Sequence, residues 1–171
     1  MTAPVPRALE APRSAVTAIG EPLIAQVIAA SRESLRRRMV LPLHKVPGAV
    51  LQRMLNAVQP GSYVRPHRHA PPRAESLVLL RGALRVIAFD DSGEVRRAVD
   101  LGPDGDLGVD IEPGVFHSMA ALAEDSVVFE VKTGPYDPDT DKMWAPWAPP
   151  EDAPEAAAYL RDLISRTNPR G

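Results

Sequence analysis

Apolar positions follow two different periods along this chain. Between residues 21 and 38 they recur at helical spacing, with Leu23, Ile24, Val27, Ile28 and Leu35 on one face. Glu21-Pro22 opens this predicted helix, because proline lacks the N–H that would have no partner in a first turn. Arg36, Arg37 and Arg38 close it, where cations meet the negative end of the helix dipole. From residue 46 to residue 133 the period shortens. Apolar runs at 50–58, 76–80, 84–89, 95–101, 107–111, 116–122 and 126–132 are divided by turn residues such as Pro60-Gly61, Arg81-Gly82 and Asp90-Asp91-Ser92-Gly93. Many short strands with no helix between them predict an all-β core, a barrel or a double-sheet jelly roll. A parallel α/β sheet would need intervening helices.

The flanks complete a single domain of three zones. Residues 1–43 read as a loose, proline-punctuated tail (prolines at 4, 6 and 12) and the helix, and residues 44–133 as the barrel. Residues 134–171 read as a proline-rich arm and a short helix at 155–166 with Tyr159, Leu160, Leu163 and Ile164 on its apolar face. The arm's prolines bar it from a central strand position, so it is expected on the barrel surface, with Trp144 and Trp147 packed against it. No repeat or low-complexity tract is visible.

Composition narrows the chemistry. The chain of 171 residues has no cysteine, which excludes disulfides, thiolate metal sites and cysteine nucleophiles. Any metal must sit on imidazole and carboxylate, a set suited to iron, zinc, nickel, copper or manganese. A net charge of −2 gives no basic field for nucleic acid. Arginine far outnumbers lysine, which suits bidentate contacts to anions but equally reflects a GC-rich coding preference. With no apolar run long enough for a signal peptide or a membrane span, a cytoplasmic location is expected.

Three of the four histidines stand where a metal would want them. His67 and His69 are two apart, and in an extended strand such residues point to one face. His117 follows Pro113-Gly114, a turn that can set it opposite the first pair. Glu75 adds a carboxylate at the start of the next apolar run. Three nitrogens and one oxygen, with positions left open, make a plausible site for one divalent ion, whether iron, zinc, nickel or manganese.

The spacing of these residues resembles the two cupin motifs. Gly61, His67, His69, Glu75 and Gly82 follow the first, G-x5-H-x-H-x(3,4)-E-x6-G, with one extra residue before Glu75 and Pro71-Pro72 inside the gap. The run Glu112-Pro113-Gly114-Val115-Phe116-His117 is similar to the second, with Glu112 and Ala121 where proline and asparagine are usual. The longer strings Gln52 through His69 and Phe129-Glu-Val-Lys-Thr-Gly-Pro-Tyr-Asp-Pro, with Asp141-Lys and Ala145-Pro-Trp-Ala-Pro, resemble the WbuC-type cupin metalloproteins, named for bacterial O-antigen gene clusters. The resemblance spans roughly residues 43–151 and implies a cupin double-stranded β-helix that binds a metal. It implies little about the reaction. Glu75 is either a ligand or a carboxylate that orients a ligand imidazole.

Further candidates flank the ligands. By strand alternation Arg65 shares the face of His67, so it can grip an anionic substrate, helped by Arg53 or Lys45; ordinary surface charge is the competing reading. His44 is either a rim group with acid–base or anion-binding ability or a solvated histidine at a strand start. Tyr63 is either a general acid or a core aromatic whose hydroxyl finds a backbone partner. Val128, Glu130 and Lys132 share a face; if that face is interior, Glu130 is a buried carboxylate able to act as a base, and otherwise it pairs with a cation outside. Two functions follow. One is an enzyme acting on an anionic or sugar-derived small molecule, with Tyr63 and Glu130 as catalytic candidates. The other is a non-catalytic, metal-dependent ligand- or carbohydrate-binding cupin. The expected partners are a small molecule and, through barrel faces or strand exchange, a second copy of the chain in a homodimer.

Overall fold

The computed structural model describes residues 6–168; residues 1–5, with Pro4 of the expected tail, and 169–171 lie outside the described residues. In chain order the elements are α1 (Glu21–Glu33), β1 (Arg38–Pro42), β2 (Leu51–Val58), β3 (His67–Arg68), β4 (Glu75–Arg81), β5 (Leu84–Phe89), β6 (Val95–Leu101), β7 (Gly108–Ile111), β8 (Phe116–Ala121), β9 (Ser126–Thr133), β10 (Met143–Trp144) and α2 (Ala156–Arg166). The strands form two antiparallel five-stranded sheets, ordered β1-β2-β9-β4-β7 and β10-β3-β8-β5-β6.

Burial explains this layering. Between the sheets lies an apolar core containing Val58, Leu77, Leu84, Val86, Leu101, Ile111, Met119 and Val128. The outer face of the first sheet is covered by α1, whose Val27 and Ile28 pack with Met39, Leu41, Leu55 and Val127. The outer face of the second is covered by α2 and the arm. There Ile87, Phe89 and Phe116 meet Ala148 and Leu163, while Ala120 meets Ala156 and Leu160. The Trp147 ring lies 5.0 Å from Phe89 and 5.9 Å from Phe116. Gly93, in the β5–β6 turn, has φ +93°, and a Cβ there would fall 2.7 Å from the Trp147 ring. Only glycine fits that turn and that close approach. Gly82 is similar: φ is +80° and a Cβ would meet the Ser126 Cα at 2.7 Å.

Three expectations need correction. The helix ends at Glu33, so Leu35 is fully exposed and Arg36–Arg38 do not cap it. Arg37 turns the chain at φ +54°, and Arg38 enters β1, whose five residues pair with β2. Helical spacing failed here because Met39 and Leu41 fit a strand under α1 equally well, and pairing with β2 decided the outcome. The tail is not loose where it is described: the Leu9 N–H donates to the Val40 carbonyl at 2.8 Å, extending the sheet edge. The arm does more than cover a surface. Met143 and Trp144 pair with Arg68 and His67, so β10 is an edge strand beside the histidines, and Trp144 is 44% exposed.

Candidate metal centre

His67, His69, Glu75 and His117 come together, all buried, with one potential ligand atom of each within 4.8 Å of the others. Strand pairing sets them. His67 on β3 is registered against His117 on β8, and Glu75 begins β4 on the facing sheet. The extra residue before Glu75 is absorbed in a turn through Pro71-Pro72, and the Glu75 Oε2 still lies 2.7 Å from the His69 Nε2 and 3.4 Å from the His117 Nε2.

Backbone carbonyls fix the ring orientation. The His67 Nδ1 contacts the Arg65 carbonyl at 2.9 Å, the His117 Nδ1 contacts the Val115 carbonyl at 2.9 Å, and the His69 Nδ1 contacts the Asp141 carbonyl. A carbonyl only accepts, so each Nδ1 carries a proton and each ring turns its Nε2, the atom with a lone pair to give a cation, to the centre. The buried His117 Nε2 has no hydrogen-bond partner. The His69 lone pair faces a Glu75 carboxylate oxygen, a repulsive meeting unless a proton or a cation lies between them. Burial keeps the His67 ring neutral by pushing its pKa well below the ordinary value, with the charges of Lys142 and His117 adding to this. Burial pushes the Glu75 carboxyl up, but a proton held between it and the facing His117 or His69 ring outweighs this and holds Glu75 well below the usual range. Three oriented lone pairs and an ionised carboxylate suit a divalent cation.

The cluster opens into a cavity of about 860 Å³. Two of its cations are compensated: Lys132 Nζ meets both Asp141 oxygens at 2.8 and 2.7 Å, and Arg38 meets both Glu151 oxygens at 2.6 Å. Arg65 and Lys142 have no carboxylate partner among the described residues. The Arg65 guanidinium donates to the Ala145 carbonyl at 2.8 Å, and its buried Nε has no partner. Arg65 and Lys142 lie 5.8 and 5.6 Å from the Trp144 ring, which is itself 5.6 Å from His67. Burial, reinforced by Lys132, lowers the Lys142 amine.

The remaining candidates divide. Glu130 is buried and lines the cavity, accepting from Asn56 Nδ2 at 3.1 Å; burial and then the Glu75 charge push its carboxyl up. His44 lines the cavity too, with its Nδ1 on the Arg53 backbone. Arg53 and Lys45 have exposed side chains that are not part of the wall, and Lys45 reaches the Pro12 carbonyl. Tyr63 faces away from the cluster: it packs with Ala120, Ala156 and Leu160, and its hydroxyl donates to the Pro149 carbonyl at 3.0 Å. Of its two expected readings, Tyr63 is thus the core aromatic whose hydroxyl finds a backbone partner. Asn56, Asp141 and Lys142 were missed as cavity residues. The inward alternation of β2 could have given Asn56.

The family model described as "Domain of unknown function (DUF6016)" matches residues 19–101. No curated protein matches the chain. Among solved structures, CapF in complex with 3-isopropenyl-tropolone is 21% identical over 60% of this chain and 30% of its own, with a TM-score of 0.51. CapF from Staphylococcus aureus is described as a capsular polysaccharide assembling protein. Protein SO0799 from Shewanella oneidensis is 16% identical over 57% of this chain and 63% of its own, with a TM-score of 0.48. The cupin domain of Schizosaccharomyces pombe Cnp3 is 12% identical over 57% and 64%, with a TM-score of 0.45. The chain therefore spans less than two thirds of each. The fold is a cupin barrel, and its buried cluster of three histidines and one glutamate has a donor set that could hold a metal ion. Among the described residues no helix is long and apolar enough to cross a membrane.

Proposed function

We propose that this chain is a metal-dependent cupin enzyme, of WbuC type, acting on an anionic or sugar-derived small molecule. The observation that carries this reading is the convergence of three carbonyl-anchored imidazoles on Glu75. His67, His69, His117 and Glu75 would hold one divalent ion, which would supply Lewis-acid polarisation of a substrate oxygen. Arg65 and Lys142 would receive the anionic group, being cavity cations that flank Trp144 beside His67 and have no carboxylate partner among the described residues. Glu130 would carry the proton. Burial and the Glu75 charge raise its carboxyl pKa, which favours proton uptake there.

The test is turnover of a panel of sugar acids by the iron- and zinc-loaded chain. The expected result is activity that is lost on chelation and falls at least about a hundredfold in Glu130→Gln, with the metal retained. Metal binding without turnover anywhere in the panel would leave the non-catalytic binding reading in its place.

A further inference from the structure

The cavity has a second polar spot that the metal does not use. The inward residues of the first sheet stand in rows set by register. Glu75 and Lys132 face each other in the row of the metal cluster, and Leu77 and Glu130 in the next. A further step along β9 reaches Val128, which is registered against Asn56 of β2, itself opposite Val40 of β1. Rows in a sheet are two residues, or about 7 Å, apart. Asn56 thus interrupts an apolar row at roughly two steps from the cluster.

Asn56 is 6% exposed and lines the cavity. One end of its amide meets Glu130 Oε2 at 3.1 Å, while the other end, Oδ1, is buried without a partner. Whichever way the amide is turned, one polar end is left over. Buried amide groups are otherwise almost always paired, and valine would fill the row at no such cost. A group that both donates and accepts would satisfy Asn56 and Glu130 together. A carboxylate would crowd the Glu130 carboxyl, and an ammonium would meet the nearby charge of Lys132. A hydroxyl fits.

We infer that Asn56 and Glu130 form a hydroxyl-binding subsite that, with Arg65 and Lys142 on the wall of the same cavity, selects a polyhydroxylated carboxylic acid of sugar size. Asn56 is a specificity-determining residue in this arrangement. The inference rests on the metal-dependent reading for the placement of the acid end, and it narrows the substrate class from any anion to a hydroxy acid.

Isothermal titration of the zinc-loaded full chain tests it, with zinc content measured first. The probes are gluconate, galactonate, glucuronate and galacturonate, against hexanoate, which lacks the hydroxyls, and sorbitol, which lacks the acid. At least one sugar acid should bind about tenfold or more tighter than hexanoate and sorbitol. Asn56→Val should remove about tenfold of that preference, and Asn56→Gln should recover part of it. Equal binding of sugar acids and hexanoate, no binding of any sugar acid, or a preference unaltered in Asn56→Val would overturn the inference. Absence of zinc would instead refute the metal reading, and an Asn56-dependent preference in that zinc-free chain would still uphold the subsite.

Discussion

The two ends of the barrel interior are built on the same strands from opposite kinds of residue. Along β8 the inward positions run His117, Met119, Ala121, and along β9 they run Lys132, Glu130, Val128. β4 offers Glu75 and then Leu77, while at the apolar end β5 contributes Leu84 and Val86. One period-two alternation thus delivers a buried polar cluster at one end and a dry core at the other. The difference lies in what each end requires. The apolar end is stabilised by burial alone, whereas every charge at the polar end needs a partner or an ion. The apolar end should therefore govern stability with no effect on ligation, and the polar end should govern both.

Breaking the buried pair at the polar end should have the largest effect. Asp141→Ala leaves the Lys132 ammonium buried without its bidentate partner, and a loss of about 3–5 kcal/mol in urea unfolding is expected. At the apolar end, Leu84→Ala removes a fully buried side chain and should cost about 2–5 kcal/mol. Metal content per folded chain should not change in that variant. A fall in metal content with Leu84→Ala would erase the distinction between the ends.

A smaller effect appears with pH in the chelator-stripped chain. The folded-state pKa of His67 is depressed, so between that value and the ordinary histidine range the unfolded chain binds the extra proton. Stability should therefore fall as pH drops below about 6.5, by at most about 1.4 kcal/mol per unit from this residue. His67→Gln should flatten that slope in thermal melts between pH 6.5 and 5, relative to the native sequence. An unchanged slope would mean that His67 is not held neutral by burial.

The parts that sequence made legible were those fixed by local rules. The strand bounds at 84–89 and 95–101 agree with β5 and β6, because Asp90 forms the turn between them, its Oδ1 accepting from Ser92 N–H at 2.9 Å and Glu94 N–H at 3.0 Å. The histidine spacing foretold the cluster, because i and i+2 in extended chain share a face whatever the rest of the fold does. What stayed hidden depended on contacts distant in sequence. β1 was hidden because Arg38 is compensated by Glu151, 113 residues away. The arm's return was equally unreadable: it puts the Asp141 carbonyl on His69 and the Trp144 backbone beside His67, and no local pattern in a proline-rich segment specifies that path. The two readings of Tyr63 stayed open for the same reason, since α2 and the Pro149 carbonyl decide where its ring goes.

The central claim is that the three Nε2 lone pairs and Glu75 hold a divalent ion. Elemental analysis of the purified chain and of the His67→Ala/His69→Ala double variant, each shown to be folded by circular dichroism, addresses it directly. The account predicts about one ion per native chain and less than about a tenth of that in the variant. Full metal stoichiometry in the folded double variant, or none in the native chain after reconstitution with zinc, iron, nickel or manganese, would contradict it.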